Sequence, residues 1–242
     1  MAHDTLLNLF SALRNTPFHP QWFAVRKESQ YLAAIGRRVF GQVLDIGCGE
    51  QKPRRHLNPS VAYIGLDYYR TATEWYGTRP QVYSDARALP FHAASFDWVL
   101  LLDVLEHVPA PNRTFGEAFR VLKPGGKLIL QVPFLYPIHD APLDFHRWTL
   151  HGLQELARKT GFTVVEKIPM GTPFECAALL CNLAFSKAVL DWSIRKNPLA
   201  VLGLILPVFV LCTNLLAWIL PSRTNDEDGF MPYAYRMVLE KP

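Results

Sequence analysis

The chain has 242 residues, half of them hydrophobic, which suits one domain with an elaboration and excludes a disordered chain. Its net charge of +4 carries no concentrated basic face, so no nucleic-acid partner is expected. Cys48, Cys176, Cys181 and Cys212 lack metal-ligand spacing and read as reduced, buried thiols of a cytoplasmic protein, and the first twenty residues, interrupted by His3, Asp4 and Arg14, show no signal-peptide pattern.

In the N-terminal 40 residues, Leu6, Leu9, Phe10 and Leu13 share one face at helical spacing. Pro17 and Pro20 break that helix, and Trp22–Phe40 predicts a second, with Arg26, Lys27, Arg37 and Arg38 outward. This lead-in is either a lid over a ligand or a helix packed on a sheet edge.

From Gly41 to Val132 strand and helix patterns alternate, which predicts a parallel sheet with helices on both faces. Strands are expected at 42–46, 61–66, 81–84, 96–102 and 127–132, with a helix over 113–122 whose Phe115, Ala118, Phe119 and Leu122 recur at i, i+3, i+4, i+7. The first strand runs into VLDIGCGE, where Gly47 and Gly49 make a tight turn, and Asp67 ends the second strand in YIGLD. Glycine permits positive φ and close backbone approach, so such a turn binds nucleotide-like ligands at the carboxyl ends of the strands, with part of the ligand facing the next helix N-terminus. A dinucleotide fingerprint would want a third glycine at position 52, where Lys52 stands, which disfavours an NAD-dependent oxidoreductase.

The motif Asp45, Gly47, Gly49, with Gln51 in place of a last glycine, resembles the first motif of class I S-adenosylmethionine-dependent methyltransferases. The run SDARALPFHAASFDWVLLLDVLEHV followed by FRVLKPGGKLIL resembles the methyltransferase family called type 11, in order and at matching spacing over roughly 41–168. The resemblance implies a Rossmann-like doubly wound α/β sheet of seven strands, the last antiparallel, with N-terminal helices and a hydrophobic helical insert between strands six and seven. It also implies S-adenosyl-L-methionine as cofactor. Asp45 would help hold the methionine amino group, and Gly47, Cys48 and Gly49 would pass the methionine and ribose. Asp67, beside Tyr68, would accept the ribose hydroxyls; Asp85 and Ala86 would face the adenine; Leu102 and Asp103 would border the methionine end.

Past strand five the loop Phe134–Trp148 crowds Tyr136, His139, Asp140, Asp144, His146 and Arg147. His139 or Asp144 could serve as general base, Arg147 could pair an anionic group, and His107 could touch substrate; alternatively Asp144, His146 and Arg147 form an internal network that pins the loop. No standard metal spacing is present, and no metal is expected. A helix over 150–160 is predicted between an N-cap at Thr149 and a stop at Gly161, then strands at 162–168 and 234–239.

The resemblance skips 173–232. Leu199–Leu220 is 22 residues without a charge, long enough to span a bilayer, with Lys187, Arg195 and Lys196 before it and Asp226, Glu227 and Asp228 after it. Because the last strand rejoins the sheet, a single crossing is excluded. Phe174–Leu190 is then the return leg of a hairpin, or both helices lie in one leaflet, with Pro207 and Asn214 favouring a kinked, shallow insertion; a helix pair buried in a homodimer interface or against the sheet is the competing reading. The expected organisation is a helical lead-in over 1–40, a methyltransferase domain over 41–172 plus 233–242, and the insert over 173–232. The expected function is methyl transfer to a small or lipid-linked substrate, in a cytoplasmic protein peripheral or monotopic at the inner face of the membrane through 174–220. A non-catalytic scaffold of a membrane complex is the alternative.

Overall fold

The computed structural model describes residues 13–220 and 229–242. The predicted helical face of Leu6, Leu9 and Phe10 and the acidic run Asp226–Asp228 lie outside the described residues. The chain divides into two compact units: one of 31–170 with 233–242, the other of 1–30 with 171–232.

The first unit is built on a seven-stranded sheet: β1 (Gln42–Ile46), β2 (Ala62–Asp67), β3 (Val82–Tyr83), β4 (Phe96–Leu102), β5 (Leu122–Pro133), β6 (Thr163–Met170) and β7 (Ala234–Glu240). Their order is β3-β2-β1-β4-β5-β7-β6, and β7 runs antiparallel to both neighbours. The fold is the Rossmann-like doubly wound sheet that the resemblance implies. The chain winds outward from β1 to β3 and then returns to β4 on β1's other side, which puts the topological switch point between β1 and β4.

Alternation along β1 divides the core. Leu44 and Ile46 face a large cluster with Phe115 and Val121 of α2 (Pro111–Val121) and Leu150 and Leu153 of α3 (Leu150–Thr160). Val43 faces the other side, where Leu32, Ile35 and Val39, from the end of α1 (Trp22–Arg38), pack with Trp98, Leu100 and Ile129. The C-terminal half of α1 therefore covers a sheet face rather than an edge. α3 has the expected ends: the Thr149 hydroxyl accepts from the Gly152 N–H, and Gly161 closes it at φ +98°.

Three sequence expectations are corrected. No α-helix follows the glycine turn, although the basic residues Lys52, Arg54 and Arg55 suggest one; Gln51 takes φ +55° and a single 3₁₀ turn, Pro53–His56, follows. The third strand shrinks to two residues. β5 begins at Leu122, so the Lys123-Pro124-Gly125-Gly126 segment is an irregularity within the strand, marked by a register shift against β4, rather than a turn before it.

The second unit holds α4 (Pro173–Ile194), a 3₁₀ segment Pro198–Leu204 and α5 (Leu206–Ile219). α4 opens with a capping box, in which Thr172 accepts from the Glu175 N–H and Glu175 reaches back to the Thr172 N–H. The uncharged stretch 199–220 is not one straight span: it bends by 53° between the 3₁₀ segment and α5, where Pro207 lacks the N–H and carries the ring that would obstruct a continuous helix. A buried Asn182–Asn214 hydrogen bond of 3.0 Å joins α4 to α5, and Thr213 donates to Asn182 at 2.6 Å. All four cysteines are free, but only Cys48 and Cys176 are buried; Cys212 is exposed on α5, contrary to the expectation of four buried thiols.

Candidate active site

The carboxyl ends of β1, β2, β4 and β5 converge beside the switch point. Gly47 and Gly49 leave β1 at φ +68° and +45°. The Gly47 and Cys48 N–H groups both donate to the Leu66 carbonyl, and the Gly49 N–H donates to Asp67 Oδ2 at 2.9 Å, so the end of β2 holds the turn in shape. A Cβ at Gly47 would sit 2.4 Å from Val104 in the loop after β4, whereas one at Gly49 would meet nothing within 4 Å. Gly49 thus borders open space, as a ligand-facing turn must.

Asp67 is buried, and its Oδ1 takes the Tyr68 N–H at 2.7 Å and the Thr71 hydroxyl at 3.1 Å. The Thr71 hydroxyl has one hydrogen and lies equally near the Tyr68 carbonyl at 3.0 Å, so it can release Asp67. With that release two acceptor positions are available on the carboxylate, one per oxygen, which suits a vicinal diol. Asp45, two residues before the turn, faces the same side as Val43, where Tyr63 donates to its Oδ2 at 2.6 Å; burial raises its pKa to about 7. Burial also pushes the Cys48 thiol up to about 12, which leaves it inert as a nucleophile. Asp85 is held by Arg87 at 2.6 Å, and that bond lowers its pKa. Ala86 sits between them, half-buried.

Leu102 ends β4 half-buried, and exposed Asp103 follows at φ +54°, accepting from Gln131 Nε2 at 2.5 Å. Glu106, which sequence reasoning passed over, is fully buried, and neither carboxyl oxygen has a hydrogen-bond partner. Burial foremost, then the neighbouring Asp103 charge, holds its pKa well above the usual carboxylate range. His107 Nε2 lies 3.7 Å and His139 Nε2 3.9 Å from Glu106 Oε1, and the two rings meet edge to face at 4.9 Å. The sequence signal was present: a glutamate inside the apolar run VLEHV.

The loop 134–148 is tied down from within. Arg147 donates from Nε to the Tyr136 carbonyl, from Nη1 to Asp144 and the His146 carbonyl, and from Nη2 to Asp144 and the Pro137 carbonyl. All five guanidinium donors are used, which leaves none for a substrate anion. The same ion pair lowers the Asp144 pKa to about 2, so its affinity for a proton is too weak for a general base at neutral pH. Of the two sequence alternatives for Asp144 and Arg147, the observed bonding is the pinning network. The Glu106 carbonyl accepts from Phe145 and His146 N–H groups and anchors the loop to the β4 exit. Tyr76, in the connection after β2, donates to Asp140 at 2.6 Å. Because β1 and β4 lie between β2 and β5, this bond bridges the crevice above the glycine turn.

Residues 44–130 match the sequence model of a family described as a methyltransferase domain. The chain carries a class I S-adenosylmethionine-dependent methyltransferase domain. It is 34% identical over 159 residues to a protein of Mycolicibacterium smegmatis named a probable S-adenosylmethionine-dependent methyltransferase, covering 61% of each chain. It is 26% identical over 172 residues to a sterol 24-C-methyltransferase of Schizosaccharomyces pombe, covering 60% of this chain and 46% of that one. The chain thus spans about half to three-fifths of the length of these curated relatives. Among solved structures, the cyclase SpnF superposes with a TM-score of 0.55 at 19% identity over 90% of this chain and 81% of its own; at that identity the likeness is one of fold.

The methyltransferase domain takes S-adenosylmethionine as its cofactor. The residues present fit that group: the open face of Gly49 and the two acceptor positions of Asp67 lie together at the end of β1 and β2.

Proposed function

We propose that the methyltransferase domain transfers a methyl group from S-adenosylmethionine to a small or lipid-linked, largely apolar acceptor. The observation that carries the reading is Asp67, a buried carboxylate that shapes the glycine turn and retains lone pairs for a ribose diol. When bound, S-adenosylmethionine supplies a sulfonium methyl, which leaves by in-line displacement. The work of the chain is then placement. Asp67 holds the sugar, the Gly47–Gly49 turn lets it approach the backbone, and the Tyr76–Asp140 bond closes over it. His107 and His139 face the acceptor side at the exit of β4.

The insert supports an apolar acceptor. Leu204, Ile205, Val208, Trp218 and Ile219, at the two ends of α5, are each more than half exposed, more large apolar surface than a water-facing helix usually carries. α4 is long and apolar enough to cross a membrane, and the bent pair has the form of a re-entrant segment. We read the insert as seated in a bilayer at its inner face, where an apolar acceptor would dissolve. The Schizosaccharomyces pombe relative is named for a sterol acceptor, which favours the same class.

Calorimetric titration with S-adenosylmethionine tests the reading. Saturable heat is expected from the native chain. Asp67→Ala should weaken binding roughly tenfold or more, since each hydrogen bond to a charged group contributes about 1.5–3 kcal/mol. A folded native chain giving no heat would leave a non-catalytic scaffold in its place.

A further inference from the structure

Glu106, His107 and His139 are the one group among the described residues whose histidine, cysteine and carboxylate atoms converge closely enough to hold a metal ion, all within 4.8 Å of one another. The tautomers favour ligation. His107 Nδ1 lies 2.9 Å from the Leu143 carbonyl, which can only accept, so Nδ1 carries the hydrogen and Nε2 the lone pair. His139 Nδ1 lies 3.3 Å from the Pro137 carbonyl and 3.4 Å from both Asp144 Oδ2 and Arg147 Nη2; two of these three neighbours only accept, and the nearest of them, the carbonyl, favours the same tautomer. Metal-binding histidines are held this way, the far nitrogen donating to a carbonyl or carboxylate. Here Arg147 in turn fixes Asp144.

The two Nε2 atoms lie 3.7 and 3.9 Å from Glu106 Oε1. Those gaps are too long for a hydrogen bond. They lie close to the ~3.3 Å between two ligands of a tetrahedral ion with ~2.0–2.1 Å bonds, so a small inward movement of the rings would close the set. The carboxyl group itself is fully buried with neither oxygen hydrogen-bonded, an arrangement that is destabilising unless something takes up the lone pairs. His107 and His139 keep 20% and 29% of their side-chain surface exposed, which leaves an entry path.

We propose that Glu106, His107 Nε2 and His139 Nε2 form a binding site for a divalent transition-metal ion of the zinc or iron(II) class. Two imidazoles and one carboxylate select such ions over magnesium or calcium, which prefer all-oxygen shells, and they leave coordination positions for an oxygen or nitrogen of the acceptor. The proposal builds on the acceptor side of the methyl-transfer reading but is measured without S-adenosylmethionine, so either can fail alone.

The test is titration of metal-stripped full-length chain with Co²⁺, followed by its visible absorption and by displacement with Zn²⁺. One equivalent is expected to bind and to be displaced by Zn²⁺ but not by Mg²⁺. Glu106→Gln and His139→Ala should each weaken Co²⁺ binding more than about tenfold, while His151→Ala at an exposed position of α3 leaves it unchanged. Should the variants misfold, the native chain decides: Zn²⁺ should protect His107 and His139 from diethyl pyrocarbonate, read by peptide mass spectrometry. Absent stoichiometric binding, binding equal in all three variants, displacement by Mg²⁺, or unprotected histidines would each overturn the site.

Discussion

Gly47 and Gly49 are two residues apart, yet a methyl group added to each meets different surroundings. At Gly47 it strikes Val104, so Gly47→Ala forces apart the β1 and β4 exits as well as straining a positive φ. At Gly49 it meets only open space, and the cost is the left-handed backbone, about 1–2 kcal/mol. Gly47→Ala should therefore lower the melting temperature markedly and Gly49→Ala only slightly, while Gly49→Ala still weakens S-adenosylmethionine binding severalfold or more. Calorimetry and thermal unfolding on the same samples separate the two effects. Asp45 gives a pH signature. Its folded pKa of about 7 lies above the ordinary 3.8, so the fold prefers the protonated carboxyl. That contribution is complete below about pH 4 and is lost as pH rises through 7, a swing of roughly 4 kcal/mol. Asp45→Asn retains an acceptor for Tyr63 and cannot ionise. The stability difference between variant and native chain should grow in the variant's favour from pH 4 to pH 8, measured by urea unfolding; a constant difference would show that Asp45 ionises freely in the fold.

Individual elements were legible in the sequence where pattern and caps agree. The α3 helix has both an apolar stripe and its Thr149 and Gly161 ends, and it appears at the expected residues. The segment after the glycine turn has neither an apolar stripe nor a side-chain cap: Lys52, Arg54 and Arg55 suggest an exposed helix face, but the structure forms only a 3₁₀ turn that ends at an extended Leu57. Site residues divide the same way. Asp67 could be placed because it ends a strand. The roles of Asp144, Arg147 and Glu106 could not, because they depend on which loop atoms fold back onto them. Tyr76 was invisible for that reason, since its partner Asp140 is 64 residues away. The Tyr76–Asp140 bond should govern how long the crevice stays closed, and Tyr76→Phe removes it while keeping the ring. The expected result is faster release of S-adenosylmethionine, severalfold in the dissociation rate by stopped flow, with the melting temperature nearly unchanged. An unaltered rate would mean that the crevice opens elsewhere.

At the scale of the whole molecule, the decisive feature is where the insert is spliced in. Met170 at the end of β6 pairs directly with Ala234 at the start of β7, so the chain leaves the sheet and returns to it on one rung. Under the proposed seating in a bilayer, the intervening 63 residues must enter and leave from the same side. A long helix followed by a segment bent by 53° satisfies that condition as a hairpin or a shallow re-entrant loop. The charges on this segment are compatible with that proposal. Glu175 is consumed by its capping box and by Lys27, Lys187 pairs with Asp191, and Arg195 and Lys196 follow the end of α4, where anionic headgroups would attract them. If the exposed apolar surface seats in lipid, replacing Leu204 and Val208 by lysine should abolish flotation with anionic liposomes. It should change the stability to unfolding by no more than the small amount usual for surface changes, about 0.5 kcal/mol, because both side chains are already more than half exposed. Flotation of the native chain, lost in the variant and weakened by salt only in part, is the expected pattern, because apolar burial persists when headgroup attraction is screened. A native chain that never floats, and that sediments as a dimer dissociated by the same lysines, would assign the surface to a second copy of the chain instead.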